Sequence, residues 1–275
     1  IRESMIEEIE DKSTTLAKAL SVKGLLNIQF AIKDDTLFIL EANPRASRTM
    51  PFVSKVTGNQ IIKAGTLLML GHSLDSIKKT TNYLNSSTNK VAIKKAIFPW
   101  SRFPAEDTML GPEMKATGEV LGIGRSFGVA LNKAYAAAGV EINENEKGIF
   151  VSLSDQEKPN FIKIVKTYSD LGFKIYSTYG TGEYLKNSEI NSTIVGRADE
   201  TFPTSLTILQ DKLISLVINT PTFANEYTDG WKIRRLSHET GVAVVSSVRE
   251  AEAFLKAFLE TTKSFEDMEA IQNVS

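Results

Sequence analysis

Leu26-Asn27-Ile28-Gln29-Phe30-Ala31-Ile32 and Leu37-Phe38-Ile39-Leu40-Glu41-Ala42-Asn43 are two β-rich runs joined by Lys33-Asp34-Asp35-Thr36, a polar turn that predicts a hairpin. Side chains alternate faces along a strand, so Ile28, Phe30, Ile32, Phe38, Leu40 and Ala42 form one apolar face, expected to be core. The other face carries Asn27, Gln29, Glu41 and Asn43. If the turn places Gln29 opposite Glu41, the side-chain oxygens of Gln29, Glu41 and Asn43 converge on one neighbourhood. Oxygen donors without sulfur or imidazole suit a hard cation such as Mg²⁺, which keeps several waters and shares its shell with substrate phosphates.

Pro44-Arg45-Ala46-Ser47-Arg48-Thr49 follows at once and puts two guanidinium groups just past the strand end, where they could grip phosphate or carboxylate oxygens. A metal site beside arginines points to phosphoryl transfer. The plain alternative is a solvent-facing polar strand with two surface arginines.

The 275 residues suffice for two ordinary domains. With 32 basic against 33 acidic residues the net charge is -1, which gives no reason to expect nucleic acid or an anionic membrane as partner. The absence of cysteine removes disulfides, thiolate zinc sites and cysteine nucleophiles. No apolar run approaches the roughly 20 residues that span a bilayer, and no signal-peptide pattern is present, so a cytoplasmic protein is expected. The chain opens at Ile1 inside a helical pattern without an initiator methionine, which suggests a piece of a longer protein.

Apolar residues at helical spacing predict an amphipathic helix over residues 1–22 and another over 61–70, ended by Gly71. His72 beside that glycine reads as a surface group. Val91 to Trp100 reads as a strand. Gly122-Ile123-Gly124-Arg125-Ser126-Phe127-Gly128 superficially suggests a dinucleotide loop, but no convincing strand is seen to lead into it, and 125–138 reads as an alanine-rich helix. Asn143 to Gly148 is a polar linker that divides the chain near residue 141.

Beyond it, apolar runs at 149–152, 174–177, 193–195, 216–219 and 242–245 alternate with helical stretches such as 160–171 and 249–259, the pattern of a doubly wound parallel sheet. Such sheets bind ligands at strand carboxyl ends, against helix N-termini that favour anions. The polar residues at those ends are Ser152 with Lys158, Thr178 and Thr181, Arg197, and Asn219 with Thr220. Each has a plain reading as a helix cap, but together they outline a phosphate pocket.

The strings Gly24 to Phe30, Ile39 to Thr49 and Pro51 to Lys55 resemble the end of an ATP-grasp domain. More narrowly, they resemble the second, carbamoyl-phosphate-forming unit of carbamoyl phosphate synthetase large subunits. Gly111-Pro112-Glu113-Met114-Lys115-Ala116-Thr117-Gly118-Glu119-Val120 fits the same family, and the C-terminal half resembles its methylglyoxal-synthase-like regulatory domain. The resemblance implies an α/β chain: residues 1–141 as the C-terminal part of an ATP-grasp α+β domain, and 142–275 as a doubly wound, allosteric domain. It implies that Gln29, Glu41 and Asn43 bind two Mg²⁺ or Mn²⁺ ions, that Gln29 and Glu41 also contact ATP, and that Arg45 and Arg48 meet the anionic intermediate or product. Ser152, Lys158, Thr178, Thr181, Arg197, Asn219 and Thr220 would bind a nucleotide effector such as UMP or IMP. Many members carry lysine where Arg197 stands.

The implied enzyme is an ATP-dependent ligase serving pyrimidine and arginine biosynthesis, with a small glutaminase subunit supplying ammonia and the rest of the large subunit completing the site. These residues alone are expected to be inactive, since they lack the glycine-rich loop that covers ATP. Members activated by ornithine have an acidic residue at the position of Lys95 and Tyr-Asp-Thr at Val244-Val245-Ser246, so no ornithine activation is expected here. Two alternatives are a stand-alone effector-binding module and a methylglyoxal synthase. The latter would need an aspartate base and a histidine near its phosphate site, and His238 is present but no aspartate adjoins Asn219-Thr220.

Overall fold

The structure is a computed structural model that describes the chain except for residues 82–88, 104–105, 110–113, 141–147, 198–199, 201–202, 221–227 and 262–275. The Gly111-Pro112-Glu113 part of the family motif and most of the predicted linker lie outside the described residues. Among the described residues two compact units are present, the first from Ile1 to Asn89 and the second starting at Lys90.

The first unit contains α1 (Glu3–Ala19), β1 (Asn27–Lys33), β2 (Thr36–Asn43), α2 (Thr49–Thr57), α3 (Ile61–Met69) and α4 (Leu74–Thr80). The hairpin turns through Asp34 and Asp35, both left-handed at φ 50° and 59°, between the paired residues Lys33 and Thr36. This is the two-residue turn of the primed type, whose twist matches that of the flanking strands.

The register differs from the simple alternation. Gln29 pairs with Glu41, but Phe30 pairs with Ile39, so Leu40 is an extra, bulged residue. The bulge shifts Phe38 opposite Ala31, onto the face of Gln29 and Glu41. The expected core face is also not buried: Ile32, Phe38 and Leu40 are 44%, 47% and 60% exposed. The physical reason is that a two-stranded ribbon with one helix, α1, against β2 cannot cover both of its faces.

The second unit begins with the antiparallel pair β3 (Val91–Ile97) and β4 (Gly118–Gly124), followed by α5 (Phe127–Ala137). A seven-residue strand therefore does lead into the glycine-rich stretch, contrary to the sequence expectation. The glycines serve close packing of α5 on β4: a Cβ at Gly122 would lie 2.0 Å from the Ala130 carbonyl oxygen, and one at Gly124 2.7 Å from the Ala130 nitrogen. The start of α5 is occupied by the protein itself. Gly128 N–H donates to the Glu260 carboxylate at 2.6 Å, a bond that holds this carboxyl below its usual range.

The remaining elements are β5 (Gly148–Ser152), α6 (Lys158–Asp170), β6 (Lys174–Ser177), α7 (Tyr179–Asn187), β7 (Thr193–Ile194), α8 (Ser205–Gln210), β8 (Leu216–Asn219), α9 (Asp229–Thr240), β9 (Ala243–Val245) and α10 (Val248–Thr261). The five strands form a parallel sheet in the order β7-β6-β5-β8-β9. The central strands are apolar up to their last residues, as burial on both faces requires, with Ile149, Phe150, Val151, Val217 and Ile218 all at 0% exposure. One core gathers Ile149, Val151, Phe161 and Phe254, and the other gathers Phe150, Ile208, Val217 and Ile233.

The division at 89/90 places β3, β4 and α5 with the parallel sheet, because α5 packs on α10. The sequence reading places the family boundary at 141/142. The backbone approach at Gly122 generates a direct test. Gly122→Ala should lower stability by about 1–3 kcal/mol in chemical denaturation, the usual effect of forcing atoms into a filled space, whereas alanine at Gly139, which has open space but φ +77°, should cost less.

Candidate functional site

In the first unit, pairing of Gln29 with Glu41 and of Asn27 with Asn43 puts four polar side chains on one face at the open end of the hairpin. Asn43 Nδ2 donates to Glu41 Oε1 at 3.0 Å. With its nitrogen so engaged, Asn43 leaves its amide oxygen for another partner. Glu41 and Gln29 are exposed and Asn43 is half-buried, an oxygen-donor set open to solvent that fits part of a hard-cation shell. No group of three or more His, Cys, Asp or Glu residues placed to share a metal occurs among the described residues, so any ion here would rely on amide oxygens and on ligands from outside this set.

The chain then runs directly from β2 into α2. Arg45 N–H donates back to the Asn43 carbonyl at 2.8 Å, and Arg45 Nη1 to the Ala46 carbonyl at 3.0 Å. Arg48 is the N-cap residue of α2. Both arginines are exposed and lie within five residues of Asn43, as the sequence order dictates.

In the second unit, the sheet order reverses direction between β5 and β8, the topological switch point where open parallel sheets bind ligands. The last residues of these strands, Ser152 and Asn219, are register partners. Thr181 Oγ1 accepts from Leu153 N–H at 3.0 Å and from Thr178 Oγ1 at 3.2 Å. Thr220 Oγ1 accepts from Ser154 N–H at 2.8 Å. The hydroxyls thus tie the turn after β5 to the start of α7 and to the end of β8. Thr181, Asn219 and Thr220 are 2%, 3% and 6% exposed, so their first task is to hold the rim's shape.

Lys158 belongs to the same rim. Its side chain is 12% exposed, its ammonium donates to Asp155 at 2.6 Å, and it lies 3.8 Å from where a Cβ at Gly180 would be. Asp155 is itself 95% exposed, so this counter-ion is free to swing into water. Arg197 stands farther out: its side chain is 74% exposed, with Nε 3.9 Å from Asp229. The structure therefore brings Ser152, Lys158, Thr178, Thr181, Asn219 and Thr220 together and leaves Arg197 at the periphery.

Sequence reasoning missed three residues behind this rim. Arg234 on α9 is 5% exposed, donates from Nη1 to Asn219 Oδ1 at 2.7 Å, and meets Asp107 with two parallel bonds, Nε to Oδ1 at 3.0 Å and Nη2 to Oδ2. Arg235 donates to the carbonyls of Trp100 and Phe103 at 2.6 and 2.7 Å. A signal was available: two adjacent arginines fall within a helix whose neighbours Ile233 and Ser237 face the core. The partner of the first lies 127 positions away, which no local pattern discloses.

Lys95, Val244 and Ser246, far apart in sequence, line one cavity of about 220 Å³ together with Trp100, His238 and Glu250. Lys95 Nζ sits 4.1 Å from the centre of the Tyr135 ring, and burial lowers its pKa against the opposing pull of Glu250. His238 rests beside Trp100, with ring centres 5.7 Å apart. Burial, aided by the positive charges of Lys95 and Arg235, lowers its pKa to about 4.

Residues 160–246 match a family model described as an MGS-like domain, and residues 1–77 match one described as carbamoyl-phosphate synthase L chain, ATP binding domain. The class is therefore an α/β chain in which the C-terminal part of an ATP-grasp domain precedes a methylglyoxal-synthase-like domain. Both divisions of the chain described above fall between the two matched ranges.

A carbamoyl phosphate synthase large chain, C-terminal section, from Aquifex aeolicus is 36% identical over 280 residues, covering 97% of this chain and 52% of its own length. The Brucella suis large chain is 40% identical over 261 residues, covering 92% and 22%. The C-terminal section from Methanocaldococcus jannaschii is 36% identical over 270 residues, covering 95% and 43%. The chain belongs to the carbamoyl phosphate synthase large-chain family and corresponds to the C-terminal portion of its members. It spans about half the length of the first of these relatives and about a fifth of the second.

The environment of His238 sets a pH dependence. Its folded-state pKa of about 4 lies below the ordinary value of 6.5, so the unfolded chain takes up the proton first as pH falls. Stability should be fully present above pH 6.5 and decline progressively toward pH 4. Urea denaturation of His238→Gln should show a shallower loss across that window than the parent chain.

Proposed function

We propose that this chain is part of the large subunit of a glutamine-dependent carbamoyl phosphate synthetase, in which the assembled subunit uses MgATP to phosphorylate carbamate. The observation that carries the reading is the register of the first hairpin, which sets Gln29 opposite Glu41 with Asn43 bonded to Glu41 and two arginines immediately downstream. Gln29, Glu41 and Asn43 would hold divalent cations, Mg²⁺ or Mn²⁺, and Gln29 and Glu41 would contact ATP as well. Bound metal would neutralise charge between the nucleotide's phosphates and the transferred phosphoryl group. Arg45 and Arg48 would bind the anionic intermediate or product and stabilise developing charge. The glutaminase partner, the remainder of the large subunit, a cytoplasmic setting, and service to pyrimidine or arginine biosynthesis all belong to the same proposal. Among the described residues no helix is long and apolar enough to cross a membrane, which is compatible with that setting.

In the complete synthetase, Glu41→Gln should reduce carbamoyl phosphate formation by at least about a hundredfold, the scale of losing a principal electrostatic stabiliser. Unchanged turnover at saturating Mg²⁺ and ATP would remove the hairpin from the mechanism.

The second unit supports an effector-binding role, with 142–275 as the regulatory domain. The switch-point rim offers hydroxyls, the start of α7 and the Lys158 ammonium to a phosphate, and Arg197 would close over it from the periphery. UMP titrated into the chain by calorimetry should bind, and Lys158→Ala should weaken binding about tenfold or more, a loss typical of one charge-assisted contact. Binding of UMP without any nucleotide hydrolysis would favour the alternative of a stand-alone regulatory module. Ornithine should give no heat and no activation, because Lys95 puts a cationic group into the cavity it shares with Val244 and Ser246. A methylglyoxal synthase is less well supported: His238 lines that cavity beside Trp100, and the nearby carboxylate of Asp107 is engaged by Arg234.

A further inference from the structure

The ion pair behind the switch point has no part in the scheme above, yet it touches it directly. Asn219 ends β8 and is 3% exposed, and its amide has a nitrogen and an oxygen that could be presented to a ligand. Guanidinium groups only donate hydrogen bonds. Arg234 Nη1, at 2.7 Å, therefore claims the amide oxygen and turns the NH₂ group away from itself. That NH₂ makes only a long contact, 3.4 Å, to the Ser152 carbonyl at the end of the neighbouring strand.

Arg234 is held in turn. Asp107 grips it with two bonds along one edge of the guanidinium, which fixes both the plane and the direction of the remaining arm. Gly230, one turn earlier on α9, keeps the space open: a Cβ there would come within 3.1 Å of Arg234 Nη1 and 3.3 Å of Asn219 Oδ1.

We propose that Arg234, locked by Asp107, is a positioning residue that fixes the Asn219 amide so that the switch-point rim presents N–H donors to a phosphate-bearing ligand. The inference rests on the effector-site reading of that rim. Arg234 itself does not touch the ligand. It selects anions indirectly, by denying the rim an oxygen acceptor.

The test is a double-mutant cycle on the full chain, read by calorimetric titration with UMP and with inorganic phosphate. Asp107→Asn keeps the shape but loosens the grip on Arg234, and should weaken UMP binding about fivefold or more. In an Asn219→Ala background the same substitution should change affinity less than twofold, because the group through which it acts is gone. Asp107→Glu should recover part of the affinity, and thermal unfolding of each variant checks that the fold persists. Equal losses from Asp107→Asn in both backgrounds would overturn the proposal by showing a general structural effect, as would no loss in either. If the unsubstituted chain binds neither UMP nor phosphate, the effector-site reading itself fails, and that result is separate from any outcome of the cycle.

Discussion

The parallel pairing of β5 with β8 is the constraint on which the second unit depends. Chain connectivity runs outward through β6 and β7 on one side and through β9 on the other, so only these two neighbours diverge in the direction of their crossovers. The divergence opens a notch at their carboxyl ends, and the residues there, Ser152 and Asn219, become rim by topology rather than by any property of their own. The Thr181 and Thr220 hydroxyls keep that notch in shape by accepting from backbone N–H groups of the turn after β5.

Burying a charged arginine directly behind such a notch is costly unless its donors are used. Arg234 uses three of them on Asp107 and Asn219, and Arg235 uses three on Glu239 and two carbonyls of the 100–103 segment. The two adjacent side chains thereby attach α9 to the segment between β3 and β4, beside the ring contact of His238 with Trp100. Directional bonds of this kind specify one arrangement where hydrophobic contact would tolerate several.

Much of this was legible beforehand. Strands β6 and β8 lie where the sequence pattern puts them, because the middle of a strand buried on both faces is apolar, as Ile175-Tyr176 and Leu216-Val217-Ile218 are. The hairpin turn followed from a polar tetrapeptide between β-rich runs, whereas the opposition of Gln29 to Glu41, only a condition in the sequence, depends on the bulge at Leu40. Leu40 escaped because a bulge leaves no trace in an apolar–polar pattern when the inserted residue is itself apolar. Strand β4 escaped for a related reason: its glycines look like breakers, yet at Gly122 and Gly124 glycine reflects how near α5 approaches, a tertiary fact. Asp107 was invisible for want of any local cue to a partner on α9.

The contact of the Glu260 carboxylate with the start of α5 spans 132 positions of sequence and closes the stretch from α5 to α10 into a ring without a covalent link. A contact of such range can form only after the intervening strands have collapsed, so the loop-closure entropy is met late. During synthesis, the Gly128 N–H at the start of α5 must therefore wait for its carboxylate partner until α10 has been made. The arrival of α10 becomes the event that locks the earliest part of the unit.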